Sequence, residues 1–134
     1  MGAWGFRPFD NDDACDWLDD FEDQGFDAAQ AAFEATEEQD YLGAPEGSAA
    51  VAAAAVIASL LDGRVEMIPE ETLPSVERLG SERATAEKFR EPALNALKRV
   101  AAADSELKEL WADTDELSDW QKSLIEIRDR IDKK

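Results

Sequence analysis

Thirteen consecutive positions, Ala49 to Leu61, hold only alanine, valine, isoleucine and leucine apart from Ser59. The turn Gly43-Ala44-Pro45 precedes this run and Gly63 follows it. A helix of about Glu46 to Asp62 is expected, with Gly63 as its C-terminal stop. Such a helix is apolar all round and presents no face to water, so it has to be central and touched on several sides. A membrane span needs about 20 apolar residues, so a run of this length reads as a core helix. The rest of the chain must then supply elements that are apolar on one side only.

It does so at helical spacing. Asp10 or Asn11 can cap a first helix of about Asp12 to Asp23 that stops at Gly25. At 100° per residue, Ala14, Trp17, Leu18 and Phe21 share one stripe, while Asp12, Asp13, Asp16, Asp19, Asp20 and Asp23 project from the other side. A second helix is expected from Asp27, as N-cap, to Asp40, with Phe26, Ala29 and Phe33 on one face. Arg64 to Gly80 contains Pro69 and Pro74 and reads as a connector with at most one short helix. From Ser81, Phe89, Ala93, Leu97, Val100 and Ala101 fall on one stripe, and Pro92 predicts a break near Arg90–Glu91. Leu107, Leu110 and Trp111 make a short amphipathic piece. Asp113 and Glu116 form a capping-box pattern that opens a last helix. In it Leu117, Trp120, Leu124, Ile127 and Ile131 keep 3-4 spacing, over too few heptads for a coiled coil.

Before these elements, Met1–Phe9 mixes glycines with Trp4, Phe6 and Phe9 and fits no helical period. It is expected to be an extended arm whose rings pack, with Trp17, against the first helix. Nothing reads as a strand. The fold class is therefore all-α: a compact bundle of five or six helices with an extended N-terminal aromatic arm. The 134 residues suit one domain. Within it, 1–9 is the arm, 12–63 an acidic helical half, 64–80 a connector and 81–134 a mixed-charge helical half.

Composition removes whole classes of function. The chain carries 32 acidic and 14 basic side chains and no histidine, for a net charge of −18. Phosphate-backbone recognition needs clustered Lys and Arg, so nucleic acid is not an expected partner. Without histidine, the usual general base and the usual zinc ligand are missing, and so is any Glu-x-x-His di-iron site. Cys15 is the only cysteine, so no intramolecular disulfide can form. Met1–Phe9 lacks a basic start and an apolar core of the signal-peptide kind, and a cytoplasmic location is expected. The charge is also located: residues 1–63 hold 15 acids against Arg7 alone, for −14, and residues 64–134 hold 17 acids against 13 bases, for −4.

The opening Met1-Gly2-Ala3-Trp4-Gly5, then Pro8-Phe9-Asp10-Asn11-Asp12, Ala14 and Asp16-Trp17-Leu18, resembles the small bacterial proteins grouped as domain of unknown function 4259. Those proteins commonly begin Met-Gly-Ala-Trp-Gly and continue with a Pro-Phe-(Asp/Glu)-Asn-Asp run into an acidic first helix. The resemblance is specific over residues 1–18. Beyond them it is one of general character, an Ala-rich middle followed by charged helices. Arg7 stands where that pattern has a small residue, often glycine. The resemblance implies a family and a bacterial origin, and it implies no catalytic residue and no cofactor.

Motifs that carry chemistry are sparse. An EF-hand loop begun at Asp10 has Ala14, Cys15 and Phe21 where an acid, a glycine and a glutamate are needed. Glu34, Glu37 and Glu38 have the i, i+3, i+4 spacing of a helix-borne Mg²⁺ site, but no basic or glycine-rich phosphate-binding group lies near them in sequence. Ser105-x-x-Lys108 lacks its companion motifs, and Ser105 is better placed as a helix cap. Acidic neighbours disfavour the Cys15 thiolate. No catalytic residue is assigned.

What remains is the first helix. Asp12/Asp16, Asp16/Asp20 and Asp19/Asp23 are like-charge i,i+4 pairs, each destabilising by roughly 0.2–0.5 kcal/mol. A solvated face of an acidic protein accounts for them, and so does a docking surface for a basic protein partner, which gains in encounter rate what the helix loses in stability. The expected function is a non-catalytic interaction module, with Asp12, Asp13, Asp16, Asp19, Asp20 and Asp23 as partner-binding residues. One version is an immunity-type inhibitor that covers a basic toxin. A Mg²⁺-dependent nucleotide-binding or hydrolysing enzyme using Glu34, Glu37 and Glu38 is the alternative, and a structural module without a specific ligand is a third. No cofactor, no membrane and a monomer or weak homodimer are expected.

Overall fold

The computed structural model describes residues 5–38 and 40–132. They form eight α-helices: α1 (Asp12–Gln24), α2 (Phe26–Glu37), α3 (Ala44–Asp62), α4 (Leu73–Leu79), α5 (Arg83–Glu87), α6 (Arg90–Val100), α7 (Glu106–Ala112) and α8 (Leu117–Asp132). A 3-10 turn, Glu70–Thr72, leads into α4. The described residues contain no strand. One isolated parallel bridge joins Leu42 to Ser105, with Leu42 N–H donating to Asp104 O at 2.9 Å and Glu106 N–H donating to Leu42 O at 2.9 Å.

The helix count exceeds the expected five or six for two local reasons. The connector contributes α4, because Pro74 sits in its first turn, where a missing N–H costs nothing. The stretch after Ser81 divides into α5 and α6 at Lys88–Phe89, so the break falls two residues before its expected place and Pro92 lies in the first turn of α6. Two starts also differ from expectation. Gly25, at φ +61°, ends α1 and directly precedes α2, so Asp27 lies inside the first turn and is not the cap. Asp113 and Glu116 form no capping box: Thr114 Oγ1 accepts the Glu116 N–H at 3.1 Å, and α8 begins at Leu117.

α3 is the centre, as an all-apolar helix must be. It packs against each of the other seven helices, from both sides of the connector. Its alanines Ala50 and Ala52–Ala55 are fully enclosed, and small side chains let neighbouring backbones come close. Gly63 closes the helix in the left-handed region at φ +76°, donating its N–H to Ser59 O at 2.8 Å. Because α3 starts at Ala44, its 19 residues are long and apolar enough to cross a membrane by length and composition, contrary to the sequence expectation. Here 78% of that apolar window is buried inside the fold.

Around α3 the predicted stripes face inward. Ala14, Trp17, Leu18 and Phe21 of α1 are buried, as are Trp120, Leu124, Ile127 and Ile131 of α8. On the α6 stripe Ala93, Leu97 and Val100 are buried, but Ala101, just past the helix end, is exposed.

Arg130 is the exception in polarity. It lies beside the α8 stripe, is only 6% exposed and clamps the end of α3. Its Nε donates to Asp62 Oδ2 at 2.7 Å, and a second guanidinium nitrogen donates to Asp62 Oδ1 and to Arg64 O, both at 2.9 Å.

Candidate functional site

The acidic face of α1 is held outward by what its other face does. Asn11 Oδ1 accepts the Ala14 N–H at 2.8 Å and fixes the start of the helix. Trp17 stacks on Phe21 with ring centroids 5.5 Å apart, and its indole N–H donates to Ala28 O of α2 at 3.1 Å. With the buried stripe pinned in this way, Asp12, Asp16, Asp19, Asp20 and Asp23 are exposed. None of the six α1 aspartates has an ion pair among the described residues.

Asp13 departs from the other five. It is half-buried, since four residues at 3.6 per turn bring it within about 40° of Trp17, at the edge of the apolar stripe. Burial raises its pKa above the ordinary carboxylate range, and the neighbouring charges of Asp16, Asp12 and Glu46 raise it further. The Cys15 thiol is likewise pushed up by burial and by Asp12, Asp16, Glu71 and Asp19, so it stays protonated, with its Sγ 3.7 Å from Phe9 O.

The segment before α1 turns rather than running extended throughout: Asp10 N–H donates to Arg7 O at 3.1 Å. Phe9 and Pro8 are buried and Phe6 is half-buried against the core, while Arg7 is exposed. Trp4 lies outside the described residues. A Cβ at Gly5 would overlap the Asp10 carboxylate, which would have to shift to admit it.

This turn roofs a cleft of about 370 Å³. Its walls are Gly5–Pro8, Asn11 and Asp13 on one side and the first turns of α3 on another, with Ser48 facing it. Glu106, Leu107, Leu110 and Trp111 of α7 and Trp120 of α8 complete the lining. Glu106 Oε1 accepts the Ala44 N–H at 2.6 Å, which ties α7 to the start of α3.

The alternative Mg²⁺ residues are only partly gathered. Glu34 and Glu37 lie on the wall of a groove between α2 and the α5–α6 junction, with Lys88 and Phe89, but Glu38 does not line it. Glu34 Oε1 accepts a hydrogen bond from Gln30 at 2.8 Å. Among the described residues, no group of three acidic or cysteine side chains is placed to hold a metal ion.

The N-terminal motif contributes Gly5, Pro8 and Asn11 to the cleft, and a family model described as domain of unknown function 4259 matches residues 2–123. The chain belongs to that family. The match runs from the opening motif through all of α1–α7 and into α8, so domain of unknown function 4259 includes the cleft and the acidic face together. No curated protein and no solved structure matches the chain.

Sequence reasoning missed the far wall of this cleft. Glu106, Trp111 and Trp120 are about 90 residues or more from the motif, and no periodicity reports such a meeting. One signal was available: Asp13, although acidic, falls within about 40° of Trp17 around the helix. Ser105 does occupy the N-cap position of α7, but its hydroxyl makes no cap bond and is buried without a partner among the described residues.

Proposed function

We propose that this member of the family is a non-catalytic interaction module that docks a basic protein partner on the acidic face of α1. The observation that supports it most is the set of Asp12, Asp13, Asp16, Asp19, Asp20 and Asp23 standing without an ion pair on a helix whose opposite face is rigidly packed. Unpaired like charge lowers the stability of the free helix, and a cationic surface relieves it on contact. An immunity-type inhibitor of a basic toxin in a bacterial cytoplasm is the concrete version.

The test compares the wild type with the combined Asp16→Asn, Asp19→Asn, Asp20→Asn and Asp23→Asn variant as baits in source-cell lysate. A basic protein retained by the wild type at low salt, released at high salt and lost by the variant is the expected result. Equal retention by both baits overturns the reading. A Mg²⁺-dependent enzyme draws less support, resting on Glu34 and Glu37 sharing a groove with Lys88. A thermal shift with Mg²⁺ and nucleotides is its test, and no shift at millimolar metal ends it.

A further inference from the structure

α6 and α8 pack side by side on α3, and a groove of about 680 Å³ runs along their junction. Leu94, Leu97 and Ala101 line it from α6 and the residue after it, and Leu124 and Ile125 from α8. Ile125 stands 44% exposed, next in sequence to the buried Leu124 and about 100° around the helix from it. Leu94 is half-buried and Ala101 exposed, so the uncovered apolar residues share one groove instead of being scattered singly.

The charge of this face is unlike that of the N-terminal half. α1 and α2 carry ten acids and no base, and neither helix contributes a lining residue. α6 and α8 carry six bases against five acids. A second copy of a chain with net charge −18 is repelled least where its charge is balanced.

The charges on the groove also complement a copy of themselves. Lys98 and Asp132 are exposed, opposite in sign and in no ion pair among the described residues. Arg128, the other cation there, is paired with Asp129 at 3.1 Å. A two-fold contact sets two different residues of one patch against each other twice, once in each direction. Lys98 of each copy can then lie beside Asp132 of the other.

We propose that the α6–α8 groove is the face through which two copies of this chain pair, with Ile125 of each covering the groove of the other and Lys98 meeting Asp132 across the two-fold. The α1 face takes no part in this contact, so the dimer and the docking reading above stand or fall separately.

Sedimentation of the full chain from micromolar to millimolar concentration is the test, and a reversible monomer–dimer equilibrium is expected. Ile125→Asp should weaken the dimer by at least about tenfold, because a buried isoleucine is lost from each copy. Its melting temperature at dilute concentration should match the wild type, since Ile125 is exposed in the single copy. Lys98→Glu and Asp132→Lys should each weaken pairing, whereas an equimolar mixture of the two should pair more tightly than either alone. General repulsion predicts otherwise for Asp132→Lys, which makes the chain less negative and on that ground alone would tighten the dimer. A chain that stays monomeric throughout leaves the groove to a different protein and overturns the proposal. A dimer indifferent to Ile125→Asp, or a mixture no tighter than its components, overturns it as well.

Discussion

The two ends of α3 meet charge in opposite ways. At its C-terminal end, Asp62 is locked to Arg130, and every ion pair among the described residues joins positions at 62 or beyond. At its N-terminal end, Asp13 and Glu46 add to the field of α1, whose aspartates have no ionic partner among the described residues. At the C-terminal end an ion pair fixes packing, whereas the α1 aspartates near the N-terminal end carry charge with no ionic partner among the described residues. Net charge alone does not separate these cases. Arg7 is the sole base among the first 63 residues, so the N-terminal half could not pair its acids internally in any fold.

Removing Arg130 should break the comparison most severely. Arg130→Met keeps much of the volume but strips Asp62 of its bidentate donor and leaves Arg64 O without that bond. A fully buried pair broken on one side costs roughly 3–5 kcal/mol. Asp62 keeps the Arg64 N–H at 2.9 Å, and 24% of its side chain is exposed, so about 2–3 kcal/mol is expected here. Urea denaturation measures it. A loss under about 1 kcal/mol would show that the clamp is dispensable to α3.

Titration should divide the two ends next. At Asp62 burial favours the neutral acid, but the hydrogen bonds from Arg130 and the Arg64 N–H, with the Arg130 charge, outweigh it and hold the pKa below the ordinary range. A depressed carboxylate contributes stability that is present above its unfolded value, roughly 3.9, and is lost as pH falls through the lower folded value. At Asp13 the sign reverses. Its raised pKa means that ionisation opposes folding, and that penalty disappears as pH falls through the raised value toward the unfolded one. Stability should therefore rise slightly from neutral pH toward about pH 4 and fall below it. Asp13→Asn should flatten the rise and Arg130→Met the fall, as read from melting temperature against pH. A wild-type curve that falls steadily from neutral pH would contradict the Asp13 half of this.

Smaller still is the effect of quieting α1. The combined Asp16→Asn, Asp19→Asn, Asp20→Asn and Asp23→Asn variant removes all three like-charge i,i+4 contacts. It should gain roughly 0.6–1.5 kcal/mol at low ionic strength, on the scale of roughly 0.2–0.5 per contact. The gain should shrink in high salt, where exposed charges are screened. A loss of stability instead would mean that some aspartate makes a bond that the unpaired picture omits.

How much of this the chain discloses in advance depends on how far apart the interacting residues are. α1 and α8 are legible because their apolar stripes recur at helical spacing, over about two and four turns, and α3 because it is apolar all round; Asn11 and Gly25 mark the ends of α1 and Gly63 the end of α3. α4 and α5, at seven and five residues, are too short for a period to declare itself, and proline there reads equally as a loop or as a first helical turn. The acidic face was visible as a pattern. The clamp was not, since Asp62 and Arg130 are 68 residues apart and an arginine beside an apolar stripe usually reaches water. The cleft fails for the same reason, with its two tryptophans contributed by α7 and α8 and its acids by α1 and α7.

The smallest effect decides what the comparison means. Arg83 and Glu87 are an exposed i,i+4 pair at 3.8 Å, with 65% and 43% of their side chains in solvent. Arg83→Gln should change stability by less than about 0.5 kcal/mol, because such a pair gains little Coulomb energy in water and immobilises two long side chains. Yet Arg83→Gln and Arg130→Met lower the chain's net charge by the same one unit. If burial and geometry are what matter, their costs differ several-fold and the difference persists in high salt. If general self-repulsion of a −18 chain is what matters, the costs converge and both shrink with salt. A denaturant series on the two variants at low and high ionic strength separates these outcomes. Convergence would reduce the paired C-terminal region to a matter of charge balance, and would take away the contrast that makes the unpaired α1 face stand out.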